Sequence, residues 1–151
     1  MFVMNQKTDT TVVDVARVAE GSTTSNLPFF SSQPAAGFPA PADDLVEKAL
    51  DINDLVVENP ASTFFVRVAG DSMEGAGIFS GDVLVIDRSI EAVAEKIVVA
   101  AVYGEMVVKR LKRVGEQFVL HSENDSYEPI VVSDNDDCHI WGVVVGSVRR
   151  F

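Results

Sequence analysis

From Thr63 onward, the chain alternates short runs of β-branched and aromatic residues with turn-forming residues. Such runs favour strands, and Gly, Asn or Asp between them favour tight turns. The predicted strands are Thr63–Ala69, Val83–Asp87, Lys96–Tyr103, Met106–Lys112, Gln117–His121, Ile130–Val132 and His139–Val148. This pattern predicts a mainly β fold of compact, curled, mostly antiparallel sheets.

The chain ahead of these strands has a different character. Residues 27–41 show neither a helical nor a strand period and contain four prolines. Each proline fixes its own φ and holds the preceding residue in an extended conformation. We therefore expect an extended N-terminal arm here. The apolar positions of Ala42–Leu50 favour one short helix after it, with Asp43 or Asp44 at its first turn.

Composition restricts the kind of partner and the compartment. The net charge is −11, and an affinity for phosphate requires Lys and Arg, so we expect no direct nucleic-acid binding. Cys138 is the single cysteine, which excludes an internal disulfide and fits a reducing cytoplasm. No apolar run is long enough to cross a bilayer, and the N-terminus does not resemble a signal peptide. We expect a cytoplasmic protein that acts without a membrane, a metal or a cofactor.

The first candidate for chemistry is the run Gly70-Asp71-Ser72-Met73, at the end of a predicted strand. Gly70 permits backbone angles that other residues avoid, so the chain can turn sharply there. A Ser on such a turn can present its hydroxyl to a substrate. Taken alone, however, a Ser at the end of a strand is usually a turn residue.

The second candidate is Lys109, on the predicted strand Met106–Lys112. Side chains alternate along a strand, so Lys109 shares a face with Val107 and Leu111. One interpretation is an edge strand in which Lys guards against aggregation. The other is a buried amine, because burial disfavours its charged form and a neutral amine can deprotonate a Ser hydroxyl.

A histidine base is the less available choice. The two histidines, His121 and His139, lie in runs that do not resemble a catalytic triad. Ser–Lys pairs are a known variant of the Ser–His–Asp arrangement.

Several spaced motifs resemble the self-cleaving Ser–Lys peptidases related to LexA and UmuD. They are Gly70-Asp71-Ser72-Met73, Gly77-Ile78, Gly81-Asp82, Gly104-Glu105 and Val108-Lys109-Arg110-Leu111, preceded by Ala36-Gly37-Phe38-Pro39. The resemblance runs from about residue 35 to the C-terminus. It is strongest to the UmuD branch, through Ala36–Asp44, Asp51–Leu55, Ile97–Val102 and Trp141–Val144. Because 36 residues precede Gly37 in this sequence, we expect no DNA-binding domain of the kind that a LexA-type repressor carries.

The resemblance implies a role for each matching residue. Ser72 would be the nucleophile and Lys109 the general base, acting on the bond between Ala36 and Gly37. Backbone N–H groups of Ser72 and Met73 are the candidates for stabilising the oxyanion. Residues 1–36 would then be a flexible arm removed by self-cleavage, and residues 37–151 the peptidase and dimerisation domain.

The resemblance also implies partners. Proteins of this kind cleave slowly until a RecA–single-stranded DNA filament binds. The cleaved form is a homodimer that joins a UmuC-like Y-family polymerase in error-prone translesion synthesis, during the SOS response to DNA damage. The acidic balance of the chain suits contacts with proteins rather than with DNA.

Two other functions compete with this interpretation. One is a module of the same fold that dimerises or binds a polymerase without catalysis. The other is a Ser–Lys peptidase that acts on other proteins. Ser72, Lys109 and Ala36-Gly37 occurring together favour self-cleavage over both.

Overall fold

The computed structural model describes residues 8–18, 27–30, 46–132 and 137–151. The chain divides into two units, one formed by Met1–Val18 with Asn59–Phe151 and the other by Ala19–Glu58. The candidate cleavage site Ala36–Gly37 lies outside the described residues, as does most of the predicted arm.

The larger unit contains eight of the described strands. They are β1 (Thr11–Arg17), β4 (Thr63–Ala69), β5 (Val83–Asp87), β6 (Ile97–Val102), β7 (Glu105–Val114), β8 (Gln117–His121), β9 (Ile130–Val132) and β10 (Cys138–Val148). Two short 3-10 helices, Pro60–Ser62 and Glu74–Ala76, lie before and after β4. The seven strands predicted after residue 63 are all present, with ends that shift by at most two residues.

These strands form one sheet in the order β1-β4-β5-β10-β6-β7-β8-β9, and all neighbours are antiparallel. The sheet curls so far that β1 also pairs with β7, where Thr11 lies opposite Val107. Irregularities in β10 before Gly142 and Gly146 bend this long strand, so that it pairs with both β5 and β6. The predicted mainly β, curled antiparallel fold is therefore confirmed.

Two clusters of buried aliphatic side chains stabilise the curled sheet. One contains Val66, Val68, Met73, Leu84 and Ile86, and the other Val98, Val107, Leu111 and Leu120, among others. Alternation along β4 and β7 directs these side chains inward. Met73 is fully buried, so the turn after β4 is anchored in the first cluster.

The smaller unit contains β2 (Leu27–Phe30), β3 (Val46–Leu50) and α1 (Ile52–Val56). β2 pairs with β3 antiparallel, with Leu27 opposite Leu50. Asp51 caps α1, since its carboxylate accepts a hydrogen bond of 2.9 Å from the Asn53 amide.

The helix predicted over 42–50 is wrong at 46–50, which form β3, and its first four residues lie outside the described chain. A nine-residue apolar pattern is too short to form a stable helix by itself, and pairing with β2 supplies the backbone hydrogen bonds instead. The helix of this region starts later, at Ile52.

Two described stretches of the predicted arm are also strands. β1 is paired with β4 along most of its length, from Thr11 opposite Ala69 to Arg17 opposite Phe64. Its β-branched sequence, TVVDVAR, favours that conformation. The lead of the chain up to Val18 therefore belongs to the larger unit.

Among the described residues, no helix is long and apolar enough to cross a membrane.

Asp87 fastens the end of β5 to the turn before β4. Its buried carboxylate accepts hydrogen bonds from Asn59, Ser62 and Ser89, each 2.7–2.8 Å long. Burial opposes ionisation of this carboxyl, but these hydrogen bonds together outweigh it and lower the pKa of Asp87 to about 2. Ionised Asp87 thus stabilises the fold.

Replacing Asp87 with Asn is expected to lower the free energy of unfolding by about 2 kcal/mol at pH 7. Because the pKa of Asp87 is lower in the folded than in the unfolded chain, its contribution is present above pH 4 and is lost as the pH falls toward 2. Urea unfolding of the wild type and of Asp87→Asn at pH 7 and at pH 2.5 measures the difference in their free energy of unfolding at each pH. The exposed Asp125→Asn variant is the control, and an equal loss of stability at both pH values would contradict this account.

Candidate active site

Ser72 lies in the turn that follows β4, and its side chain is fully buried. Gly70 creates this turn with a φ of 111°, a value that L side chains rarely adopt. A Cβ at Gly70 would also stand 2.2 Å from the Asp9 carbonyl oxygen. The glycine is therefore required both for the turn and for the close approach of another segment beside Ser72.

Lys109 lies in the middle of β7 and is 1% exposed. It is opposite Val98 of β6, and β8 pairs with the other edge of β7. The interpretation as a guard on an edge strand is wrong, because β7 is an interior strand. Burial between aliphatic neighbours, which the strand pattern predicted as the alternative, is confirmed.

The Lys109 amine has two hydrogen-bond partners within the part of the chain that the structure describes. It donates to Ser122 Oγ at 2.6 Å and to Asp9 Oδ1 at 2.7 Å. It also lies 5.5 Å from the centre of the Tyr127 ring, within the range of a cation–π contact. An amine buried this deeply requires such partners, since an unpaired charge in the core is costly.

Ser72 and Lys109 face the same short segment of chain but do not hydrogen-bond to each other. Ser72 Oγ accepts a hydrogen bond of 2.8 Å from the Thr10 amide. The same amide lies 2.9 Å from Asp9 Oδ1, the oxygen that binds Lys109. The nucleophile and base candidates, 37 residues apart in sequence, are thus brought to adjacent residues of the N-terminal lead.

The loop after β8 fixes the turn that carries Ser72. The Tyr127 hydroxyl donates to the Asp71 carboxylate, and Asn124 Nδ2 donates to the Asp71 carbonyl at 3.1 Å. The Gly75 amide donates to the Glu123 carbonyl at 2.9 Å. Burial and the neighbouring Asp71 carboxylate raise the pKa of Tyr127, so its hydroxyl remains a donor.

The sequence interpretation missed Asp9, Thr10, Ser122 and Tyr127. Ser122 could have been found. A two-residue turn at Gly115-Glu116 places Val114 opposite Gln117, and the same register puts Arg110 opposite His121. One step further along the hairpin, Ser122 faces Lys109.

Asp71 and Asp82 each follow a glycine with positive φ, in turns where an Asp side chain often caps backbone N–H groups. Asp82 does so, accepting from the Phe79 amide at 2.9 Å, and hydrogen bonds from Arg149 lower its pKa. The Asp71 carboxylate accepts from Tyr127 instead. In the described chain, no group of three or more His, Cys, Asp or Glu side chains is arranged to hold a metal ion.

Two backbone amides of this turn already donate hydrogen bonds to carbonyl groups of the protein and are not available to stabilise an oxyanion. The Asp71 amide donates to the Thr8 carbonyl at 2.8 Å, and the Glu74 amide donates to the Asp71 carbonyl at 3.3 Å. The amides between them, those of Ser72 and Met73, are the two that the sequence singled out. Their role stays a prediction.

Residues 28–145 match the model of a protein family described as Peptidase S24-like. This chain belongs to the Peptidase S24-like family. The family resemblance recognised from the spaced motifs around Ser72 and Lys109 is thereby confirmed.

Known relatives agree with membership of the Peptidase S24-like family. MucA of Salmonella typhimurium is 37% identical over 136 residues, covering 90% of this chain and 93% of MucA. ImpA of Escherichia coli is 40% identical over 123 residues, covering 82% of this chain and 83% of ImpA. The LexA repressor of Shewanella woodyi is 39% identical over 119 residues, covering 78% of this chain and 58% of the repressor. The family and these relatives support a serine peptidase with a role in SOS mutagenesis.

Proposed function

We propose that this chain is a self-cleaving serine peptidase of the SOS response, in which Ser72 cuts the bond between Ala36 and Gly37 with Lys109 as general base. The observation that carries the proposal is the burial of one Ser and one Lys against the same two residues of chain, in a member of the Peptidase S24-like family. Among the described residues, no histidine hydrogen-bonds to Ser72 or Lys109.

The chemistry follows from these two side chains. Neutral Lys109 removes the proton from Ser72 Oγ, which forms a bond to the Ala36 carbonyl carbon. The amides of Ser72 and Met73 stabilise the resulting oxyanion. The bond to the Gly37 nitrogen then breaks as that nitrogen takes the proton from Lys109, and water hydrolyses the Ser72 ester.

The sequence around Ala36 suits this reaction. Ala35, Ala36 and Gly37 are small, so the backbone can approach a buried hydroxyl closely. Prolines at 34, 39 and 41 restrict the free segment and thereby reduce the entropy lost when it docks. These residues lie outside the described chain, so their docking is part of the proposal.

Ser122 is proposed as a positioning residue for Lys109. Ser122→Ala removes the oxygen that binds the amine at 2.6 Å, and we expect self-cleavage to slow roughly tenfold. Initial rates followed by intact-mass spectrometry measure this change.

Two further variants make this prediction specific. Ser122→Thr keeps the hydroxyl and should restore most of the rate, whereas Ser126→Ala alters an exposed hydroxyl of the same loop and should leave it unchanged. If Ser122→Ala and Ser126→Ala cleave at the same rate, Ser122 does not position Lys109.

The biological setting is proposed with the chemistry. The relatives MucA, ImpA and the LexA repressor support a role in SOS mutagenesis. We propose that a RecA–single-stranded DNA filament stimulates the cleavage, and that the product is a homodimer that joins a UmuC-like Y-family polymerase. The net charge of −11 favours protein partners over direct contact with DNA.

A time course with and without preformed RecA filament at neutral pH tests the stimulation. We expect cleavage at Ala36–Gly37 to accelerate only when RecA, nucleotide and single-stranded DNA are all present. An intact mass throughout would support a non-catalytic module. Turnover of an added peptide containing Ala-Ala-Gly-Phe-Pro, without self-cleavage, would support a peptidase acting on other proteins.

A further inference from the structure

We infer that Thr8–Thr10 form an internal pseudosubstrate, which occupies the site of the scissile peptide and holds Ser72 and Lys109 apart until it is displaced. The inference rests on the proposed function and adds a regulatory step to it. It assigns a regulatory role to the lead of the chain.

The backbone of this segment is bound as a substrate strand would be. The Thr8 carbonyl accepts a hydrogen bond of 2.8 Å from the Asp71 amide, and the Thr10 carbonyl accepts one of 3.0 Å from the Val108 amide. The segment therefore bridges the Ser72 turn and β7, which carries Lys109. Val108 precedes the part of β7 that pairs with β8, which begins at Arg110, so this stretch of the strand edge can accept an added peptide, a common mode of peptide recognition.

The peptide bond between Asp9 and Thr10 lies directly at the nucleophile. Ser72 Oγ is 2.8 Å from the Thr10 nitrogen, and the Asp9 carbonyl packs against Gly70. A peptide that reacts with Ser72 must bring its carbonyl carbon within about 3–3.5 Å of the same oxygen. The Ala36–Gly37 bond and the Asp9–Thr10 bond therefore cannot occupy the site together.

The geometry also explains why the Asp9–Thr10 bond is not the substrate. Ser72 Oγ accepts a hydrogen bond from the Thr10 N–H, so the oxygen lies near the plane of that peptide group. Nucleophilic attack requires approach from above the plane of the carbonyl, along the Bürgi–Dunitz direction. The bound segment thus holds the hydroxyl in an unreactive orientation.

Asp9 also binds the proposed base, Lys109. Its carboxylate binds the Lys109 amine at 2.7 Å, and the second hydrogen bond of the amine goes to Ser122. The Asp9 side chain is 34% exposed, so it can return to water when the segment leaves. The Thr10 hydroxyl is buried and has no hydrogen-bond partner among the described residues. Of the two residues at the site, Asp9 and Thr10, Asp9 is therefore the one whose polar side chain holds the segment in place.

The test is Asp9→Asn in the full-length chain, with self-cleavage at Ala36–Gly37 followed by intact-mass spectrometry. Loss of the charged hydrogen bond should weaken docking of the lead and accelerate cleavage roughly tenfold. Asp14→Asn is the matched control, since Asp14 is an exposed carboxylate on β1 whose one described bond is to the next amide, and its rate should equal that of the wild type.

Three cleavage results would overturn the inference while leaving the proposed function intact. A cleavage rate of Asp9→Asn equal to that of the wild type would show that Asp9 does not restrain Lys109. A lower rate would show that Asp9 assists Lys109. A cut between Asp9 and Thr10 would make the lead a substrate.

Hydrogen–deuterium exchange of residues 8–18 tests whether this segment is docked, and the measurement does not depend on cleavage. Absence of cleavage in the wild type and in every variant would refute the proposed function itself. We expect slow exchange at the Thr10 amide in the wild-type chain and in Asp14→Asn, and faster exchange in Asp9→Asn. Exchange of the Thr10 amide at the rate of an unstructured peptide in the wild type would refute the pseudosubstrate.

Discussion

Replacing Ser72 with Ala is expected to leave the chain intact under conditions that cut the wild type. The substitution removes the only atom proposed to bond to the Ala36 carbonyl carbon. Loss of the nucleophile in a serine peptidase lowers the rate by about a million-fold, so no cleavage should be seen over days. Intact-mass spectrometry after matched incubations measures the result.

The fold should survive this change, which makes a negative result interpretable. Ser72 is buried, and its oxygen accepts a hydrogen bond from the Thr10 amide. Its loss should cost about 1–2 kcal/mol. Circular dichroism and the urea midpoint of the variant check that it is folded. Cleavage of folded Ser72→Ala at Ala36–Gly37, with no other protease present, would show that Ser72 is not the nucleophile.

Replacing Lys109 with Arg is expected to abolish self-cleavage to a similar degree. Arg keeps a positive charge that can bind Asp9, but a guanidinium does not lose its proton in proteins and cannot act as a base. Rates between pH 7 and pH 10 should rise for the wild type, because alkaline pH favours the neutral amine. The Arg variant should stay uncut across that range.

Lys109→Met complements this test. Met approximates the volume of Lys and suits the aliphatic surroundings of β7, so the fold should tolerate it. It removes both the charge and the base, and we again expect no cleavage. Alkaline acceleration that persists in either folded variant would exclude Lys109 as the base and require another titrating group.

Much of the fold was predictable because its strands are local patterns. Alternation and β-branched residues determined Thr63–Ala69 and Gln117–His121 to the residue. A Lys between two aliphatic positions on one strand face was compatible with an edge strand or with burial, and neighbouring strands on both sides of β7 decide for burial. The helix predicted over 42–50 was wrong at 46–50, because its short apolar pattern is compatible with a paired strand as well.

The remaining parts of the site depend on contacts between distant residues. Asp9 and Lys109 are separated by 100 positions, and Thr10 and Ser72 by 62, so no local pattern relates them. Only closure of the sheet through β1 and β7 brings the lead to the site. Ser122 differs, since the register of one hairpin was sufficient to place it opposite Lys109.

Self-cleavage at Ala36–Gly37 is the central claim, and intact-mass spectrometry of the full-length wild-type chain at about pH 10 tests it most directly. We predict the loss of the intact mass and the appearance of two products, one ending at Ala36 and one beginning at Gly37, with no added protease. A single unchanged mass from folded protein, or a cut at any other bond, would contradict the account.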